Sequence, residues 1–369
     1  MPTRLGFIGA GYMGQLAHIS RYAPLADVTL AALAEQRPSL ARRVGEAYRF
    51  EKVYPDHRAM LADARLDAVI AIAPFQLNAP LVADVLEAGL PVITEKPQTV
   101  TSERGRELID LARRKGVVYQ VGYMKRFDPG VRWARQRIAQ WRDTGDVGPL
   151  LSLRTWCAHG QWQWYSDPPI RTDEQVPAST LEHEPRPASM SESQWREHIA
   201  WINYYSHQTN LARYLVGDYT LEHVRQRTQG DITSTYLTAS CDADDAHVYF
   251  DFTAHTVPHW DEGVEVRFGK ALLRIDLPAP LARNQAARVT VISERDGEMS
   301  PAVPQRDGFT MQARGFLASL SGEEDVLSPA SDAVKDVAVS ERVVEMLAAG
   351  QEPESSGPLR EAASGGGTA

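Results

Sequence analysis

The sequence predicts an α/β chain of two domains: a doubly wound parallel sheet first, then an α+β domain with a large, mostly antiparallel open sheet. Three observations predict it. Residues 4–122 alternate short apolar runs with amphipathic stretches, the pattern of βαβ units. A glycine-rich turn, Gly9-Ala10-Gly11-Tyr12-Met13-Gly14, directly follows the first apolar run. From Gly148 the segments lengthen and alternate apolar with polar residues, as strands with one solvated face do.

In the first domain the expected strands are Leu5–Ile8, Val28–Leu33, Ala68–Ile72, Val92–Thr94 and Val117–Val121. Pro24 stops the first helix, and Gly89 and Gly116 stand where C′ glycines belong. In the second domain, strands are expected at Leu150–Trp156, Ser234–Cys241, His247–His255, Gly263–Phe268, Ala271–Leu277 and Arg288–Ser293. Ser191-Glu192-Ser193-Gln194 has the form of a capping box, opening a helix that can run to Gly217. Two more helices are expected near Asp307–Ser321 and Ser331–Ala348. The boundaries expected are 1–125, 126–350, and a loose Gly/Ser/Pro-rich tail over 351–369.

The chain carries 39 basic and 48 acidic residues, net −9, so it repels phosphate backbones and anionic lipid. Nucleic acid and membranes are therefore not expected partners. Cys157 and Cys241 form neither a CxxC pair nor a Cys/His cluster, so no disulfide framework or metal site is expected. Strand-like residues begin at Leu5, leaving no room for a signal peptide, and no apolar run is of membrane-spanning length; the expected location is cytoplasmic.

The GxGxxG turn sits between a strand and a helix, where its glycines permit a tight turn, close approach of a pyrophosphate, and helix-on-strand packing. Glu35 ends the second apolar run, about twenty residues on, where a carboxylate can accept hydrogen bonds from both adenosine ribose hydroxyls. That combination predicts a Rossmann dinucleotide-binding domain and favours NAD. Arg37, two residues further, could pair with a 2′-phosphate, so NADP stays possible. Glu95-Lys96-Pro97 follows the Val92–Thr94 strand and places a lysine at the carboxyl end of the sheet, where open α/β folds bind ligands.

These motifs, with Leu66-Asp67-Ala68-Val69-Ile70 leading to Pro74, Gly122-Tyr123, Arg126-Phe127-Asp128-Pro129 and a His207 helix ending in Tyr214-Leu215-Val216-Gly217, resemble the Gfo/Idh/MocA oxidoreductases. The resemblance implies a nicotinamide lying between the two domains, with Lys96 and His207 flanking the reacting carbinol. It implies a dinucleotide held by Gly9, Gly11, Tyr12, Met13, Gly14, Glu35, Arg37, Pro74, Asn78, Glu95, Lys96, Gln98 and Arg126. The substrate would lie against Lys96, Met124, Asn203, Tyr204 and His207. Three positions depart from the family pattern: Asn203 where an aspartate is common, Asn78 where a histidine is common, and Met124 where an asparagine is common.

On a helix Asn203, His207, Asn210, Leu211 and Tyr214 share one face. Lys96 as an ammonium would stabilise a developing alkoxide, His207 would exchange the proton, and Asn203 would fix the imidazole tautomer or touch another hydroxyl. Trp162, Trp164 and Tyr165 lie in a tryptophan-rich segment whose flat rings suit the C–H faces of a sugar or cyclitol. The expected activity is interconversion of an alcohol and a ketone on such a ring, sugar, amino sugar or cyclitol, by an NAD(P)-dependent dehydrogenase. Alternatives are a redox-neutral NAD-dependent glycosidase or epimerase, and a non-catalytic dinucleotide sensor. The resemblance also implies a homodimer or homotetramer, its interface on the sheet face expected to carry Phe250, Phe252, Val264 and Val266.

Overall fold

Leu5, Gly6, Phe7 and Ile8 are all buried, which places the first strand at the centre of a sheet covered on both faces. The structure, a computed structural model, describes residues 1–163, 166–177, 181–230, 232–253, 257–295 and 297–350. In chain order the first domain comprises β1 (Thr3–Ile8), helix α1, β2 (Val28–Ala34), α2 (Pro38–Tyr48), β3 (Lys52–Tyr54), α3 (His57–Asp63), β4 (Ala68–Ala71), α4 (Asn78–Glu87), β5 (Val92–Thr94), α5 (Ser102–Lys115) and β6 (Tyr119–Val121). Helix α1 runs as a π-helix over Gly14–Ile19 and ends as α over Ser20–Tyr22, just short of Pro24. All strand pairs are parallel in the order β3-β2-β1-β4-β5-β6, so the order reverses between β1 and β4 and opens a crevice at their carboxyl ends.

The five expected strands form, with two differences. Strand β3 was not expected, because only Tyr54 of its three residues is buried and no apolar run marks it. Strand β6 starts at Tyr119, since the N–H of Val117 instead closes on Ala112 O after the left-handed Gly116, completing the end of α5.

A 3₁₀ turn over Met124–Phe127 leads into α6 (Pro129–Thr144), whose N-cap Asp128 accepts from the N–H groups of Gly130 and Val131. Then follow β7 (Leu150–His159), α7 (Glu192–Val216), β8 (Tyr219–Gln229), β9 (Ile232–Cys241), β10 (His247–Thr253), β11 (Asp261–Phe268), β12 (Ala271–Asp276), β13 (Arg288–Ser293), β14 (Gly297–Met299), α8 (Gly308–Ser321) and α9 (Ala330–Ala349). The eight strands are ordered β14-β13-β12-β11-β7-β10-β9-β8, antiparallel except for β7 with β10. The Ser191 capping box forms as expected, with both reciprocal bonds. Edge strand β8 was missed because its Thr, Glu, His, Arg and Gln residues give no apolar alternation, and the edge strand β14 has only exposed residues.

Phe250, Phe252, Val264 and Val266 do not lie on the open face. They are buried with Leu153, Trp201 and Leu215 beneath α6 and α7, so the face expected to be covered by another subunit is the core. The open face instead carries Leu151, Tyr236, Tyr249 and Ile292, with Arg154 and Arg274 over the Trp156 ring. The last two helices return to the first domain: Ala313 and Phe316 of α8 join the core of Leu5, Phe7 and Ile93, and the Val121 N–H donates to Ser328 O just before α9. Among the described residues no helix is long and apolar enough to cross a membrane.

Candidate active site

The glycine turn is built for close approach. Gly9 has φ +90°, and a Cβ there would lie 2.0 Å from Ile72 O; a Cβ on Gly14 would lie 2.3 Å from Gly9 O. A Cβ on Gly11 would meet only the Arg37 guanidinium, at 3.9 Å, so this glycine opens onto a groove. The groove, about 450 Å³, is lined by Gly9, Gly11, Tyr12, Met13, Gly14, Glu35, Arg37 and Pro74 on one side and by Val176, Pro177 and Leu181 on the other. This cradle fits a pyrophosphate at the start of α1 with an adenosine towards β2. Replacing Gly9 by alanine is expected to cost about 1–3 kcal/mol of stability and to abolish NAD binding, because the turn must shift away from Ile72. Thermal unfolding and NAD titration of the variant check this, and unchanged affinity for NAD refutes it.

Glu35 does not stand free for a ribose. Its carboxylate accepts from the Ala10 N–H at 2.8 Å, from Arg37 Nε at 2.8 Å and Nη2 at 3.0 Å, and from the Arg37 N–H at 3.1 Å. These donors hold it below its ordinary pKa against the opposing effect of burial.

At the carboxyl end of β5, Glu95 is buried against His18, 2.7 Å from its Nε2. Asn78 Nδ2 donates to the carbonyls of Glu95 and Pro97, at 3.1 and 2.8 Å. The turn so braced aims Lys96 across the crevice, where Nζ donates to the Asn203 carbonyl of α7 at 2.7 Å. Removal from water, only partly offset by Glu95 and reinforced by Lys125, pulls the Lys96 ammonium down to about 8. The His207 ring packs edge-on to Tyr123 at 6.0 Å, and its pKa lies well below 6.5 for the same reason, with Lys125 and Lys96 adding repulsion. Lys96, Lys125 and His207 thus share one water-poor site.

Lys125 and Glu262 were not anticipated. They form a buried ion pair between the 3₁₀ turn and β11, and Gln208 of α7 donates to the same Glu262 oxygen. Glu262 Oε2 and His207 Nδ1 are both buried without a partner. Nothing local in sequence marks this cluster, because Lys125 and Glu262 stand 137 residues apart.

Residues 3–123 match the Gfo/Idh/MocA family model, described as an oxidoreductase family with an NAD-binding Rossmann fold. Among curated relatives, the chain is 37% identical over 169 residues to the rhizopine catabolism protein MocA of Rhizobium meliloti, covering 46% of this chain and 49% of that one. It is 34% identical over 163 residues to inositol 2-dehydrogenase of Corynebacterium glutamicum (41% and 44%) and 33% over 137 residues to D-glucoside 3-dehydrogenase of Escherichia coli (37% and 39%). The chain thus aligns with less than half the length of these relatives. Solved structures extend the likeness of fold to nearly the whole chain. A 3-ketoreductase from Actinomadura kijaniata, crystallised with NADP and TDP-benzene, has TM-score 0.70 at 18% identity, covering 93% of this chain and 97% of that one. An oxidoreductase from Agrobacterium radiobacter, crystallised with NAD+, L-tartaric acid and magnesium, has TM-score 0.70 at 16% identity, covering 95% and 98%.

Several of the residues expected at the site have partners within the protein. Asn78 is fully buried as the brace just described, and Gln98, equally buried, donates to Gly105 O. Arg126 faces away from the groove, with Nε on Asn210 Oδ1 at 2.6 Å, an ion pair to Asp332, and its guanidinium over Tyr214. Asn203 meets Lys96 through its backbone carbonyl, and His207 Nδ1 has no partner, so Asn203 does not fix this nitrogen. Tyr204 is 56% exposed beside His159, while Tyr205 stacks on Phe252. Met124 packs among Leu16, Leu281 and Phe309. Trp162 meets Tyr12 edge-on at 5.5 Å at the glycine turn, and Trp164 and Tyr165 lie outside the described residues.

Proposed function

We propose that this chain is an NAD(P)-dependent oxidoreductase that interconverts a secondary alcohol and a ketone on a sugar, amino sugar or cyclitol ring. The observation that carries the reading is Lys96, held with His207 and Lys125 in a desolvated site at the carboxyl edge of a sheet whose glycine turn fits a dinucleotide. The names of the relatives, inositol 2-dehydrogenase and D-glucoside 3-dehydrogenase among them, support the ring chemistry. When bound, the nicotinamide accepts or returns the hydride.

The chain's residues handle the oxygen. With a pKa of about 8, Lys96 can hydrogen-bond a ring oxygen as an ammonium or take its proton as an amine. His207, neutral throughout the physiological range, is suited to hold a neighbouring hydroxyl rather than to store the proton, which reverses the division of labour expected from sequence. Lys125 adds fixed positive potential where alkoxide develops. A screen of sugars, cyclitols and amino sugars by NADH absorbance tests the activity. Silence towards every carbinol, with NAD bound, would leave the sensor reading standing instead.

The pH dependence has a defined sign. Oxidation needs the unprotonated amine, so its kcat should rise as pH passes upward through about 8, while reduction of the ketone needs the ammonium and should fall over the same interval. Profiles of kcat in both directions check this; parallel profiles sink the role given to Lys96.

One feature favours a second reading, the redox-neutral glycosidase or epimerase. Val176, Pro177 and Leu181 cover the groove from the second domain, an arrangement suited to a cofactor that stays bound between turnovers. Accumulation of NADH with excess NAD separates the two. We also propose that the open sheet face of Leu151, Tyr236, Tyr249 and Ile292 is a homo-oligomer interface, tested by sedimentation.

A further inference from the structure

Between β7 and α7, the described residues 166–177 hold contacts to the first domain beside the groove. The side-chain amide of Gln15 exchanges two hydrogen bonds with the backbone of Ile170, at 2.8 and 3.0 Å. Beyond it, Glu174 reaches the start of α2: Oε1 accepts from the Ser39 N–H at 2.9 Å, Oε2 from the Leu40 N–H at 3.0 Å and from the Thr172 hydroxyl at 3.2 Å. Two residues further, Val176 and Pro177 line the same groove as Glu35 and Arg37.

We propose that Glu174 sets cofactor specificity: its carboxylate occupies the anion position at the β2–α2 turn that a 2′-phosphate on the adenosine ribose would need, and so restricts the groove to NAD. The inference rests on the dinucleotide reading of the groove. In a Rossmann domain the adenosine ribose lies at the end of β2, and a 2′-phosphate is received there by a nearby arginine and by free N–H groups of the first helical turn. Both receptors are satisfied internally in this chain. Arg37 is spent on Glu35 through Nε and Nη2, and Ser39 and Leu40 are spent on Glu174. A phosphate entering the turn would have to displace one carboxylate while standing beside the other. The same donors keep Glu174 below its ordinary pKa, so it is ionised at neutral pH. The exclusion thus comes from a residue 135 positions away in the second domain, not from the turn alone.

The test is titration of the full-length protein with NAD and with NADP, followed by tryptophan fluorescence, for the unmutated chain and for Glu174→Ala, Glu174→Gln and Glu174→Lys. The unmutated chain should bind NAD the more tightly. Glu174→Ala should tighten NADP by about tenfold or more with NAD changed less than about threefold, and Glu174→Lys, which places an ammonium there, should tighten NADP further. Should the alanine variant unfold, the near-isosteric glutamine, which keeps the shape and removes the charge, carries the test. An unchanged NADP to NAD ratio with NAD binding intact overturns the proposal, as does an equal loss of both, which would make Glu174 an anchor for the connection. If neither dinucleotide binds the unmutated chain, the reading of the groove itself fails.

Discussion

Lys96→Ala is expected to lower kcat about a hundredfold or more while changing the affinity for NAD by less than about threefold. The reason is positional. The glycine turn, Glu35 and Arg37 form the groove, whereas Lys96 stands across the crevice with its ammonium on the Asn203 carbonyl, and it is not among the residues lining that groove. Loss of a charged donor at a developing alkoxide costs on the order of 3 kcal/mol in the barrier. Stability should not fall with activity. Lys96 binds its proton less tightly folded than unfolded, so at neutral pH burying the cation works against the fold, and this opposition fades as pH rises from about 8 towards the unfolded lysine value. Lys96→Met, which keeps the stem and removes the charge, should therefore lose turnover without lowering Tm. His207→Ala should cost less in kcat, because a neutral imidazole that only holds a hydroxyl can be replaced in part by water. Should Lys96→Ala keep near-normal kcat, or should NAD binding collapse with it, the lysine belongs to the cofactor site or the framework instead.

What the sequence made legible was local. The alternation around Leu5, Val69 and Ile93, the Gly9–Gly14 turn, and the Ser191–Gln194 box each write their structure within a few residues, and each forms where expected. Lys96 was legible because its place at the end of β5 follows from the strand alone. The pairings that shape the site were not, since Lys125 with Glu262 and Glu174 with Ser39 join segments more than a hundred residues apart, and no spacing rule links them. Asn78 and Arg126 show the complementary failure. Their positions in the motif were read correctly, but their side chains turn to backbone carbonyls, Asn210 and Asp332 rather than to the groove. Position fixes where a Cα lies; only the surrounding side chains decide which polar partner a long side chain finds. The open sheet face was misread for a related reason. Alternation tells that one side of β10 and β11 is apolar, yet it cannot tell whether helices or a second subunit cover it, and here α6 and α7 do.

Lys125→Met is expected to destabilise the protein by about 3–5 kcal/mol, and most of that loss should be recovered by adding Glu262→Leu. The side chain of Lys125 is 8% exposed and that of Glu262 not at all, so each charge is stable in the interior only because the other is there. Removing the lysine alone strands the Glu262 carboxylate with Gln208 as its one donor and Oε2 already without a partner. Removing both charges leaves apolar groups in an apolar setting, with the Gln208 amide the polar group that must then find another acceptor. The pair also has an electrostatic reach that stability alone would not reveal. Lys125 contributes to the lowering of both Lys96 and His207, so its loss should move the rising limb of the oxidation profile above pH 8, towards the ordinary lysine range. Denaturant unfolding of the two single variants and the double gives the coupling energy, and pH profiles of whichever variants stay folded give the charge effect. A loss below about 1 kcal/mol in Lys125→Met, or a profile that does not move, would show that this pair neither joins the 3₁₀ turn to β11 nor tunes the lysine beside it.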